Sequence, residues 1–134
     1  MTNGERADQL LADAEAIARE MRFALGDRRW NLAARRAQEV VELVAKGSIN
    51  QMGVEYPRTR DPVPALIDAL RERRIDADPG VLEWLRDFSR DLAELRGPAF
   101  YQEIAVAEER ARAAVDGGER ALQFGRALVG RLRG

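Results

Sequence analysis

Apolar residues recur along this chain at intervals of three and four, and alternating runs bounded by turn pairs are absent. That spacing is the signature of amphipathic helices and leaves almost no signal for strands. The first helix is predicted from Gly4 to Leu25, with Asn3 as its N-cap. Ala7, Leu10, Ala14, Ile17, Met21 and Leu25 form its apolar stripe. Gly26-Asp27 breaks the pattern, and Asp27 is placed to cap the next helix.

The second helix, about Arg28 to Met52, divides most sharply into faces. At roughly 100° per residue, Trp30, Ala33, Ala37, Val41 and Val44 gather on one side. Arg28, Arg35, Glu39, Glu42 and Lys46 gather on the other, with Leu32 and Leu43 among them. Gly53 ends this helix, and Asp61-Pro62 reads as an N-cap followed by proline at the first helical position. A short third helix then turns Val63, Leu66, Ile67 and Leu70 inward, with Pro64 tolerated in its first turn. After the loop RERRIDADPG, Asp78-Pro79 repeats the cap-plus-proline start. The fourth helix carries Val81, Leu85, Phe88, Leu92 and Leu95 and is predicted to stop at Gly97-Pro98.

A loop around Phe100-Tyr101 leads to a last helix, from Gln102 or Ala105 to Leu132. Its stripe is Ile104, Ala107, Ala111, Val115, Gly118, Leu122, Gly125 and Val129, small enough for a neighbouring helix to approach closely. Gly117-Gly118 marks a candidate bend, since each interior glycine costs about 1 kcal/mol against alanine. Four long helices and one short one, joined by short loops, predict an all-α, up-and-down helical bundle. At 134 residues the chain is one domain, spanning 1–134.

Composition narrows the chemistry. There is no cysteine and no histidine. Disulfides, thiol catalysis and thiolate metal sites are therefore excluded, as is the usual general base near neutral pH. No metal site and no cofactor are expected. Basic and acidic residues nearly cancel, 22 against 23, for a net charge of −1. That balance argues against a dedicated duplex-DNA binder, whose affinity rests on neutralising many phosphates, but leaves room for a local basic patch. Lys46 is the only lysine, so 21 of the 22 basic residues are arginine. No apolar run approaches the ~20 residues a membrane span needs, and MTNGERADQL lacks the layout of a signal peptide. The expectation is a cytoplasmic protein without a membrane partner.

Several groups of residues are candidates for a site. Glu42 and Lys46 stand at i and i+4, either a solvated ion pair on a charge ladder or one wall of a functional face. Arg28, Arg29, Arg35 and Arg36 put four guanidiniums within nine residues. They could hold phosphates by bidentate hydrogen bonds or pair with acids of the first helix such as Asp13 or Glu20. In Arg58-Thr59-Arg60-Asp61 two guanidiniums lie beside a helix N-terminus, an anion-attracting position that Asp61 as cap would already satisfy. Arg60 is left as an anion contact or a partner for Glu42. Trp30 and Trp84 read as packing residues. Leu32 and Leu43, outward on a polar face, are candidate dimer contacts, so Leu32→Arg or Leu43→Arg should yield monomer on a sizing column. Glycine-rich nucleotide loops, the Walker pattern and serine elbows are all missing.

The stretch from Ala34 to Asp61 resembles the HEPN domain (higher eukaryote and prokaryote nucleotide-binding). Members show an "A-x-E-L-x-x-K" core on the second helix, then a "G-x-x-x-P-x-T-H-D" loop. Here the core is Val40-Val41-Glu42-Leu43-Val44-Ala45-Lys46. The loop is Gly53-Val54-Glu55-Tyr56-Pro57-Arg58-Thr59-Arg60-Asp61, with Arg60 where the family often has histidine. Leu95-Arg96-Gly97-Pro98 and Phe100-Tyr101 are similar to the "R-Y-P" region of a branch often encoded beside a minimal nucleotidyltransferase, in toxin–antitoxin-like pairs. The resemblance extends from about Leu10 to Leu128.

It implies a polar dimer groove binding nucleotide or RNA, lined by Glu42, Lys46, Arg60 and Arg96, with Arg35 and Tyr101 nearby. Ribonuclease members carry arginine, four to six residues, then histidine. From Arg96 the matching positions are Tyr101, Gln102 and Glu103, none of which supplies an imidazole. The expected protein is a homodimeric, non-catalytic HEPN-like domain without catalytic residues, with a nucleotidyltransferase as candidate partner. Two alternatives remain open: a plain helical protein-interaction module, and a ribonuclease toxin with an atypical site.

Overall fold

A computed structural model describes the chain from Met1 to Gly134, with side chains at all positions other than Pro98 and Ala99. Every regular element among the described residues is a helix: α1 (Asn3–Gly26), α2 (Trp30–Gln51), α3 (Val63–Glu72), α4 (Pro79–Phe100) and α5 (Glu108–Arg133). The expected all-α arrangement of four long helices and one short one is what forms. No helix is long and apolar enough to cross a membrane among these residues.

The caps differ from those the sequence favours. α1 is capped by Thr2, whose hydroxyl accepts from the Glu5 N–H at 3.1 Å, so Asn3 lies inside the helix. Thr2 and Asn3 are both good caps, and the more N-terminal one gains an extra helical residue. Asp27 closes α1 and does not cap α2; its carboxylate lies 3.4 Å from Arg29. The chain reverses there through Arg28, whose φ of 60° is unusual for a residue other than glycine. α2 starts at Trp30 without a side-chain cap.

α2 is the central helix and packs against all four others. For that reason its C-terminal half is buried nearly all round, through Val40, Val41, Val44, Ala45, Gly47, Ser48, Ile49 and Asn50. The two-faced pattern predicted for it holds only in the first turns. α1 lies close along it: a Cβ at Gly47 would sit 3.4 Å from the Leu10 Cβ and 3.5 Å from the Ala7 carbonyl oxygen. On the other side the small residues of α5 do the same. A Cβ at Gly118 would come within 2.9 Å of the Met21 sulfur, and one at Gly125 would collide with Val44. α5 runs unbroken through Gly117-Gly118, so these glycines admit neighbours and interrupt nothing.

Three further boundaries move. The N-cap position of α3 belongs to Pro62, and Asp61 instead accepts a 2.5 Å hydrogen bond from the Ser89 hydroxyl of α4. Pro62 and Pro64 have no N–H to satisfy, so the turn does without a carboxylate cap. α4 is not stopped at Gly97-Pro98 and continues to Phe100, with the Tyr101 N–H donating to the Gly97 carbonyl at 3.2 Å. A proline this near the C-terminus forfeits one helical hydrogen bond, and the last turn still closes. The extra turn brings Phe100 onto the same helix as Arg96, four residues on. α5 begins only at Glu108, which leaves Ile104 and Ala107 exposed in the loop before it. Asn31 holds that loop, donating to the Ile104 carbonyl at 2.9 Å and accepting from the Val106 N–H at 2.8 Å.

Candidate functional site

The site is built on one residue ladder of α2, continued by the end of α4 and the loop after Gly53. Gln38, Glu42 and Lys46 follow one another at intervals of four, one helical turn apart. Gln38 is 2 % exposed and all of its amide is used. Its Nε2 donates to the Glu42 carboxylate at 3.1 Å and to the Arg60 carbonyl at 2.8 Å, and its Oε1 accepts from Arg96 Nη1. Glu42 also accepts from Lys46 Nζ at 2.8 Å. One buried amide therefore ties α2, α4 and the loop together, and Lys46 and Arg96 belong to a single network.

Aromatic rings support both ends. The Arg96 guanidinium lies 5.3 Å from the centre of the Phe100 ring, and Arg35 lies 5.7 Å from the same ring. Lys46 Nζ is 5.2 Å from the centre of Tyr56. Such contacts are each worth about 0.5–2 kcal/mol and fix where the charge sits.

Glu42 and Arg96 of this network also line an open groove of about 500 Å³, together with Asp13, Glu39, Leu43 and Arg60 among others. Its carboxylates on α2 are already engaged: Glu42 by Lys46, and Glu39 by Arg36 at 2.6 Å. Neither Arg60 nor Arg96 has a carboxylate within 4 Å among the described residues. The Arg96 guanidinium is held below its ordinary pKa, first by burial and then by the positive charge of Arg60, while Glu42 and Glu39 oppose the shift. In a base, a lowered pKa means that folding disfavours the charged form. The cost is present at every pH below that pKa, which includes the whole physiological range, and an anion in the groove would relieve it. No group of three or more carboxylates capable of holding a metal occurs among the described residues.

The HEPN domain family model matches residues 7–128, most of the chain. This chain belongs to the HEPN domain family. No curated protein and no solved structure gives a significant match.

Of the residues that the HEPN resemblance assigned to a groove, Glu42, Lys46, Arg60 and Arg96 come together. Arg35 is exposed at the edge of the cluster, on Phe100. Tyr101 is 76 % exposed in the turn beyond α4 and does not line the groove. Leu43 is half-buried in the groove wall and packs partly on the core. Leu32 is 40 % exposed. The arginine cluster of α2 finds other partners than Asp13 or Glu20: Arg28 lies 3.7 Å from Glu108, Arg29 pairs with Asp27, and Arg36 with Glu39. Trp30 and Trp84 are half-buried packing residues, the latter stacked on Phe88 with centroids 5.1 Å apart.

Two members of this cluster were not among the candidate site residues. Gln38 carried a signal, its spacing of four from Glu42 amid Ala34, Ala37, Val41 and Ala45. Phe100 carried none, because it joins Arg96 only once α4 has continued past Gly97-Pro98.

Proposed function

We propose that this HEPN domain binds the phosphate groups of a nucleotide or RNA in the Arg60–Arg96 groove and does not cleave them. Two guanidiniums face one groove, neither has a carboxylate within 4 Å among the described residues, and one is partly desolvated. That observation carries the reading. Planar guanidiniums take phosphate oxygens bidentately, and a phosphate here would replace mutual repulsion with two charge-assisted contacts. The chain has neither imidazole nor thiol to move a proton at neutral pH, which supports binding without turnover. The protein acts as a homodimer, an arrangement that Leu32→Arg on a sizing column tests. Pairing with a nucleotidyltransferase in a toxin–antitoxin-like system belongs to the same proposal.

Titration with ATP and with a short RNA, in wild type and in Arg96→Ala, tests the reading. A charged hydrogen bond is worth about 1.5–3 kcal/mol, so Arg96→Ala should weaken binding at least about tenfold. Equal affinity in both proteins would remove the groove from the account. Absence of binding would leave a protein-interaction module. Cleavage of RNA by pure protein, lost in Arg96→Ala, would make the protein a ribonuclease.

A further inference from the structure

A second cavity, of about 360 Å³, is lined by Arg6, Asn50, Glu55, Tyr56 and Arg58. Arg6 comes from α1, Asn50 from the last turn of α2, and the others from the loop after Gly53. Asn50 is the unusual member. It is 7 % exposed, lines the cavity, and its amide makes no hydrogen bond among the described residues. Buried amides are nearly always partnered, so this one is presented to whatever enters. Among the described residues no side-chain nitrogen or oxygen is both fully buried and unpartnered, which means the amide reaches open space. Arg6 and Arg58 are exposed and have no carboxylate within 4 Å among the described residues. Glu55 is the one acid in the lining and sits exposed at its rim.

Two connections join this cavity to the Arg60–Arg96 groove. Lys46 pairs with Glu42 of the groove and lies over Tyr56 of the cavity. Arg58 and Arg60 are two residues apart, so their Cα atoms lie within about 7 Å of each other. From Glu42 to Asn50 the rise along α2 is about 12 Å, which a stacked strand covers in three or four nucleotides.

We propose that the Arg6–Asn50–Tyr56–Arg58 cavity is a second phosphate-binding site, which takes a phosphodiester about three or four nucleotides along the strand held in the groove. The two guanidiniums take the phosphate oxygens, the Asn50 amide adds a donor, and the Tyr56 ring offers a face for a base. The ligand is then a single-stranded polynucleotide longer than a dinucleotide. This rests on the phosphate-binding reading of the groove.

The experiment is fluorescence anisotropy with labelled oligouridylates of two, four, six and eight nucleotides. Wild type is compared with Arg6→Ala/Arg58→Ala and with Arg71→Ala/Arg90→Ala, which removes the same charge elsewhere. Wild type and the charge-matched control should gain at least about tenfold in affinity between two and six nucleotides, then level off. Arg6→Ala/Arg58→Ala should bind the dinucleotide as wild type does and lose the gain with length. Equal affinity for all lengths in wild type, or a length gain that survives in Arg6→Ala/Arg58→Ala, would overturn the second site and leave the groove standing. Failure of wild type to bind any oligonucleotide or ATP would overturn both.

Discussion

Two sets of arginines meet different fates in this molecule. Arg28, Arg29, Arg35 and Arg36 crowd into nine residues of sequence, yet all but Arg35, which shares the Phe100 ring with Arg96, disperse to other partners. The side chains of Arg28 and Arg29 are 75 % and 71 % exposed and reach Glu108 and Asp27, while Arg36 holds Glu39. Arg60 and Arg96 stand 36 residues apart and converge on one groove, where neither has a carboxylate within 4 Å among the described residues although Asp13, Glu39 and Glu42 also line it. Density of charge along a chain is a weak guide to a binding site, because neighbours on a helix fan out and find acids of their own. Convergence needs an organiser. Here it is Gln38, whose amide fixes the Arg96 side chain and the Arg60 backbone at once.

The comparison breaks hardest at that amide. Gln38→Met keeps the length of the side chain but leaves Arg96 and the Arg60 carbonyl without their hydrogen-bond partner and Glu42 with Lys46 alone. Leaving such groups unsatisfied costs about 1–3 kcal/mol, measurable by urea melts, and phosphate-ligand affinity should fall at least about tenfold. Full affinity in a folded Gln38→Met would show that the groove arginines need no organiser. Arg35→Ala removes the cation on the outer side of Phe100 and leaves Arg96 in place, so a loss of about two- to fivefold in affinity is expected, in line with the modest energy of an exposed cation–π contact. Arg28→Ala/Arg29→Ala should change stability by less than about 0.5 kcal/mol, as exposed ion pairs do, and affinity by less than about twofold. A larger loss of binding there would restore the crowded cluster as a ligand surface.

The helices were readable from periodicity, because a 3.6-residue repeat needs no knowledge of what packs against it. Their ends were less so. Thr2 and Asn3 are both competent caps, and only the geometry chose between them. Asp61 has the right neighbour in Pro62 for a cap, but a hydroxyl on α4, 28 residues away, takes its carboxylate. The Glu42–Lys46 pair is local and was legible from spacing alone. Arg60 and Arg96 entered through family resemblance, since no rule of spacing links a loop to the end of a distant helix. Gln38 stayed hidden among alanines because its role depends on partners from two other segments.

Lys46 stands alone of its kind, and its side chain is only 16 % exposed within the ion pair to Glu42. Acylating reagents aimed at lysine amines therefore meet no ready target among the side chains of the native protein. The one they could take opens only when the ladder of α2 comes apart. A peptide map reading acylation at Lys46 would report, without any dye or engineered label, whether this particular corner of the molecule is intact.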